Sequence, residues 1–242
     1  MAEPTVPERE HEDSRRRAAD VQRGTARAAV LGVSDGLVTN VALILGVAAA
    51  EASPAFVRLA GLASLVAGAC SMAVGEYISM RAQVELLERL LVEEAKHLKA
   101  NPKGARAELE QFIERAGVSP RTARAAAREL ARDPKHALAT YARSIGLNPD
   151  ELGSPWGAAG SSLLTFAGGA LAPLLPWFFA SGQVAQLASV AVAGASALAI
   201  GAVLARLSGR PWIWPALRQL LVIALAATAT VLVGRLFHVP VG

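Results

Sequence analysis

Five stretches of this chain are long and apolar enough to cross a lipid bilayer, and that excludes most folds at once. Spanning about 30 Å of hydrocarbon takes about 20 apolar residues in a helix, and the stretches fall at roughly 28–50, 57–80, 156–179, 184–205 and 212–236. Lipid offers the backbone no hydrogen-bond partner, so each stretch must satisfy its own amides as a helix. The expected fold is an all-α membrane protein of five transmembrane helices. A mean hydropathy of +0.37 over the whole chain is in keeping with this, as are 53% hydrophobic and 18% charged residues.

The charges sit almost wholly before residue 28 and between 81 and 151. Glu51 to Pro54, Ala180 to Gln183 and Arg206 to Pro211 are short turns, so the spans they join are antiparallel hairpins. Five spans then place 22 of the Lys and Arg residues on the N-terminal side and two, Arg58 and Arg235, on the other. By the positive-inside rule the N-terminus is cytoplasmic and the C-terminus outside, in a multi-pass protein of the cell membrane. Residues 1–27 carry six arginines and lack the apolar core of a cleavable signal peptide, so they are expected to be a disordered cytoplasmic tail. Residues 28–80 are the first two spans, 81–155 a cytoplasmic insertion, and 156–242 the last three spans.

The insertion reads as helices. Arg81 to Lys99 is rich in Leu, Glu, Arg and Lys and is contiguous with span two, with Pro102 and Gly104 ending it. Val84, Leu87, Leu91, Ala95 and Leu98 share one face of this helix, with Glu85 and Glu88 opposite. Further helices are expected from Ala105 to Ala116, from Pro120 behind a Ser119 cap, and from Pro134 to about Ile145, where Gly146 stops the last. Between 81 and 153 there are 13 basic and 11 acidic residues, a balance that argues against a nucleic-acid partner. One cysteine, Cys70, excludes a disulfide framework and a cysteine-rich metal cluster, and it reads as a small buried residue. Ala193, Ala197, Gly201 and Ala205 recur every fourth residue in span four, a spacing that serves packing within the chain or between two copies.

The chemistry lies where acids enter the membrane. Asp35 stands in Gly32-Val-Ser-Asp-Gly-Leu-Val-Thr-Asn40, about five residues from the cytoplasmic end of span one, where a carboxylate costs several kcal/mol unless paired, protonated or hydrated. Span two carries Cys70, Ser71, Met72 and Glu76. Counting outward from the turn near 52–53 levels residue 35 with residue 70, so Asp35, Thr39, Asn40, Met72 and Glu76 are candidates for one polar seam. Arg27, Arg58 and Arg81 lie near the membrane boundaries, which leaves a cation as the expected partner of these acids. Carboxylate oxygens with a thioether suit a transition ion such as Fe²⁺ better than Mg²⁺ or Ca²⁺.

The strings Gly32-Val-Ser-Asp-Gly-Leu-Val-Thr-Asn40, Ala67-Gly-Ala-Cys-Ser-Met-Ala-Val-Gly-Glu-Tyr-Ile-Ser79 and Pro173-Leu-Leu-Pro176 resemble the vacuolar iron transporter family in its bacterial, nodulin-like branch. The resemblance runs in order from about residue 26 to the end. It implies a homodimer of five-span subunits, with a metal path at the dimer axis that exports Fe²⁺ and often Mn²⁺ from the cytoplasm in exchange for protons. The family's transport-site aspartate falls on Asp35 and its methionine on Met72. Some members carry an acid where this chain has Ser64, whereas the only acid of its second span is Glu76. The implied cargo is the metal itself, and no prosthetic group is expected.

The resemblance also implies that the insertion is a metal-binding domain with glutamates at helical spacings. Glu85 and Glu88 are three apart, Glu110 and Glu114 four apart, and Glu93 shares a face with His97. Interleaved with Arg89, Lys96, Arg106 and Arg115, these acids are equally consistent with a solvated, ion-paired surface. Aligned on Pro102, Leu109 and Gly117, the family's first glutamate of a Glu-x-x-Glu pair falls on Ala105 and another on Ser144. Glu85, Glu88 and Glu108 are then the expected remnants of a weakened site. The alternative function is a membrane-anchored metal sensor or regulator without transport; an acid inside span one counts against it, because an anchor has no use for one.

Overall fold

The computed structural model describes residues 25–144, 153–208, 211 and 213–236. The tail expected to be disordered lies outside the described residues up to position 24, as do Gly146 and the chain after residue 236. Every regular element among the described residues is a helix: α1 (Thr25–Ala49), α2 (Pro54–Ala100), α3 (Pro102–Arg115), α4 (Pro120–Leu130), α5 (Pro134–Ser144), α6 (Pro155–Leu174), α7 (Pro176–Phe179), α8 (Gly182–Ser208) and α9 (Ile213–Leu236). The chain divides into two compact units, Met1–Ile78 with Ser154–Gly242, and Ser79–Gly153.

Among the described residues four helices are long and apolar enough to cross a membrane: Arg27–Ala49, Pro54–Ala100, Gly182–Arg206 and Ile213–Leu236. This is a multi-pass membrane protein. The stretch expected as a single span at 156–179 is instead divided at Leu175 into α6 and α7. Pro173 and Pro176 bring no backbone N–H to the helix ladder, and the glycines and serines of α6 dilute its apolar character. At 20 residues α6 is about 30 Å long. The break leaves carbonyls to be bonded from elsewhere: Ser189 donates to the Pro173 carbonyl at 2.7 Å, and Arg58 donates to that of Trp177 at 3.2 Å.

Helix α6 is buried along most of its length, at Ala158, Ala159, Ser162, Phe166, Gly169, Ala170, Pro173 and Leu174. Helix α1 lies directly against it, because glycines remove the side chains that would hold the two backbones apart. A Cβ on Gly32 would meet Thr165 Oγ1 at 2.3 Å, and one on Gly169 would meet the Val33 carbonyl oxygen at 2.2 Å. The opposite flank of α1 meets α9 by the same device, since a Cβ on Gly234 would stand 2.1 Å from the Gly46 carbonyl oxygen. Thr230 donates across that interface to the Ala42 carbonyl at 2.6 Å.

Apolar clusters fill the space between these helices. Ile44, Val57, Leu174, Trp177 and Ala185 form one; Leu37, Val41, Ala193, Ala197 and Ile223 form another. The small-residue stripe of span four is therefore used within the chain: Ala193, Ala197, Gly201 and Ala205 are all buried, and a Cβ on Gly201 would meet Ala216 Cα at 2.5 Å. Cys70, expected to be buried, is exposed on α2, whose apolar surface also leaves Leu59, Val66, Val74 and Ile78 open.

In the second unit, α2 continues to Ala100 with Val84 buried and Glu85 and Glu88 exposed. Pro102 and Gly104 do not simply end it. Asn101 accepts a hydrogen bond from the Gly104 amide at 3.0 Å, and Pro102 occupies the first turn of α3, where a missing N–H costs nothing. Helix α3 ends before Gly117, whose φ of +92° favours glycine. Ser119 precedes α4, but its hydroxyl bonds Thr122 instead of capping an amide. Leu109, Ala127 and Tyr141 bring α3, α4 and α5 together around a small core.

Candidate functional site

The motif on α1 has a packing side and an open side. Gly32 and Gly36 press against α6; a Cβ on Gly36 would stand 2.2 Å from the Phe166 carbonyl oxygen. Asp35 and Thr39, one turn apart, are exposed on the other side, and the Thr39 hydroxyl donates to Asp35 Oδ1 at 3.1 Å. Among the described residues no base pairs with Asp35. Thr39 also borders an open groove of about 660 Å³ between α1 and α9, lined otherwise by apolar groups and Thr230. That lining offers no charge to a cation; Asp35 lies one turn before Thr39 on α1, outside the lining.

Asn40 stands about 140° around the helix from Asp35. It is fully buried, and its amide donates to the Ala170 carbonyl at 2.6 Å, which ties α1 to α6. Its own oxygen is buried without a partner in the structure. Asn40 is thus placed to hold the backbone that carries Asp35.

Met72 is half-buried and packs against Ala69, Phe166 and Ala170. Gly68 makes that possible, since a Cβ there would run into the Phe166 ring at 2.3 Å. One turn further toward the end of the unit, Glu76 is buried, its side chain 10% exposed. Sequence reasoning left the membrane acids without a basic partner, and for Glu76 the structure corrects this: Arg27 Nη2 lies 3.8 Å from Glu76 Oε2. The distance is that of an ion pair without a hydrogen bond. Beside it the Tyr77 ring meets that of Trp156 with centroids 4.7 Å apart and planes tilted by 50°, joining α2 to α6 at the same level.

In the second unit the glutamates are largely engaged. Glu85 pairs with Arg81 at 2.7 Å, Glu93 with Arg89 at 3.0 Å and Glu110 with Arg124 at 2.9 Å. Glu108 accepts a short hydrogen bond from the Tyr141 hydroxyl, and its other oxygen is 4.0 Å from His97 Nε2. The bonded Glu108 carboxylate, aided by burial and by the charges of Glu108 and Glu94, pushes the Tyr141 phenol up to about 12. Glu108 is therefore gathered with His97 and Tyr141, while Glu85 is tied to its own helix neighbour. Among the described residues no group of three or more His, Cys, Asp or Glu side chains is arranged to hold a metal.

Arg27 and Tyr141 are the residues that sequence reasoning missed; His97, read there with Glu93, lies against Glu108, while Glu93 pairs with Arg89. For Arg27 a signal existed, because the count that levels residue 35 with residue 70 also levels residue 27 with residue 78, two from Glu76. For Tyr141 there was none, as it lies 33 residues from Glu108.

The VIT family model matches residues 26–235, nearly the whole described chain. The chain belongs to the vacuolar iron transporter (VIT) family. Vacuolar iron transporter 2 of Oryza sativa subsp. japonica is 32% identical over 223 residues, covering 91% of this chain and 89% of its own. Vacuolar iron transporter homolog 2 of the same organism is 36% identical over 217 residues, with 87% and 89% covered. The vacuolar iron transporter of Centaurea cyanus is 30% identical over 210 residues, with 85% and 84% covered. As a VIT protein the chain belongs among membrane transporters and is not an enzyme. Asp35, Gly36, Met72 and Glu76 all lie within the matched span.

Proposed function

We propose that this VIT protein carries Fe²⁺ or Mn²⁺ out of the cytoplasm by proton antiport, working as a homodimer of five-span subunits in the cell membrane with its N-terminus in the cytoplasm. The observation that carries the reading is the Asp35 carboxylate, exposed on an apolar helix with Thr39 as its described partner and no base paired to it. A divalent cation supplies the missing charge, and protons compete with it for the same carboxylate, which is the chemistry an exchanger needs.

Asp35 is the anionic ligand in this reading, with Thr39 beside it. Met72 adds a soft ligand, Glu76 receives the ion at the cytoplasmic end, and Asn40 holds α1 in place. Because Asp35 lies on the open side of α1, a second copy of the chain is the natural source of the remaining ligands. The names of the relatives support iron as cargo. The asymmetry of 22 against two basic residues supports the orientation, with α6 and α7 crossing together as the third span.

Metal uptake into proteoliposomes, comparing Fe²⁺, Mn²⁺ and Co²⁺ with and without a pH gradient, tests the function. Flux that ignores the gradient would remove antiport, and no flux of any of the three would remove the transport reading.

A further inference from the structure

The ion pair between Arg27 and Glu76 joins a buried acid to an exposed base. The Glu76 side chain is 10% exposed and that of Arg27 62% exposed. The acid is fixed on α2, next to Tyr77, whose ring makes a tilted contact with that of Trp156 at 4.7 Å. The base stands near the start of α1 on a long flexible stem. Their contact of 3.8 Å supplies charge but no hydrogen bond, and Glu76 Oε2 is buried without a hydrogen-bond partner. An Arg that meant to stay would be expected to donate to the carboxylate directly, as Arg81 does to Glu85 at 2.7 Å and Arg89 to Glu93 at 3.0 Å.

Resting on the reading of Glu76 as part of the metal path, we propose that Arg27 is a tethered stand-in cation that neutralises Glu76 when no metal is present and is displaced by an arriving divalent ion. While it is ionised the buried carboxylate needs a positive charge beside it, because a lone buried charge is strongly unfavourable. Arg27 meets that need without satisfying the oxygen. A divalent ion meets it and coordinates the oxygen as well, so exchange is favoured once metal is abundant, and the released guanidinium returns to water at small cost because it is already mostly exposed. From Glu76, Met72 is four residues back, about 6 Å along α2. Arg27 therefore sets the metal concentration at which the path admits an ion, which makes it a positioning residue and not a ligand.

The test reads metal at Glu76 directly and separately from transport. Full-length protein in liposomes is treated with dicyclohexylcarbodiimide, a hydrophobic reagent for buried carboxyls, and modification of Glu76 is followed by mass spectrometry as Mn²⁺ is titrated. Arg27→Gln should lower the Mn²⁺ concentration for half-protection at least fivefold, and Arg27→Lys should restore a value close to wild type. In flux assays the apparent KM for Mn²⁺ should fall by a similar factor in Arg27→Gln. In a Glu76→Gln background, Arg27→Gln should shift KM no further. Half-protection unchanged within twofold, or a KM shift that persists in the Glu76→Gln background, would overturn the proposal. Protection that shifts as expected in a protein without flux would leave the displacement standing and remove the transport reading instead. Should Arg27→Gln fold poorly, Arg27→Met takes its place: wild type and Arg27→Lys must both keep the threshold that this neutral side chain loses, and an Arg27→Met threshold within twofold of wild type would overturn the proposal.

Discussion

Gly36 lies so close to Phe166 that a single added carbon would stand 2.2 Å from the Phe166 carbonyl oxygen. The residue before it is Asp35, so the closest approach of α1 to α6 is built into the same turn that carries the candidate metal ligand. Backbone contact on one side of the turn leaves the carboxylate open on the other. Gly36→Ala should therefore lower stability by about 1–3 kcal/mol, because the obstacle is backbone and cannot rotate away. Gly75→Ala is the matched control, since nothing lies within 4 Å of a Cβ there. Thermal unfolding of the two variants in detergent, followed by loss of the monodisperse elution peak, separates them: equal midpoints would mean that the α1–α6 contact is looser than described.

Asp35→Asn or Asp35→Ala should abolish metal flux, by at least tenfold, with the protein still folded. The side chain is exposed and bonds Thr39 on its own helix, so no packing is lost with it. Met72→Ala should weaken flux less, since the oxygen ligands remain, but at a cost in stability of about 2 kcal/mol or more for a half-buried side chain against Phe166. Flux and thermal midpoint measured on the same preparations keep the two effects apart. Wild-type flux in Asp35→Ala would sink the assignment.

Tyr141 offers a pH prediction outside the membrane. Its phenol is raised from an ordinary value of 10 to about 12, chiefly by donating to Glu108. A raised value in the folded state means that the bond contributes fully below about pH 10 and is lost as the pH climbs through 12. The chain has two tyrosines, so in a Tyr77→Phe background the tyrosinate absorbance reports Tyr141 alone. It should titrate near 12, and Glu108→Gln should bring it down toward 10. An unshifted midpoint in the parent would show that the Glu108 contact does not persist in solution.

Legibility in the sequence followed the range of the interaction that settled each feature. The apolar spans, the Glu51–Pro54 turn and the run of α2 past residue 81 depend on hydropathy and local breakers, and they could be read directly. The break at Leu175 was harder, because Pro173 and Pro176 sit in a stretch whose hydropathy alone reads as continuous. The exposure of Cys70 could not be read, as an apolar helix carries no mark of which face its neighbours leave open. Arg27 was legible in register but was set aside for lying at a boundary, although a long side chain there reaches a turn inward. Asn40 looked like a lining residue beside Asp35, yet its position around the helix puts it against Ala170.

The helical unit of residues 79–153 should bind Fe²⁺ weakly or not at all. A tight site for a hard or borderline divalent ion needs several carboxylates converging with their charge unspent. Here Glu85, Glu93 and Glu110 are each held by an arginine, and Glu108 is bonded by Tyr141. The resemblance implies two further glutamates where this chain has Ala105 and Ser144, and Ala105 is buried. Among the described residues no three acidic, His or Cys side chains converge. Each arginine would have to be displaced, and each such exposed pair resists by about 1 kcal/mol or less, so the arginines alone do not forbid binding; the missing carboxylates do. Calorimetric titration of the full-length Asp35→Asn, Glu76→Gln double variant with Fe²⁺ under anaerobic conditions, or with Mn²⁺, isolates this unit from the two carboxylates of the membrane path. Little or no heat is expected at micromolar metal, and Glu108→Gln should change it little. Several tight sites per subunit would show that other acids, Glu88 and Glu94 among them, rearrange around His97 to replace what the chain has lost.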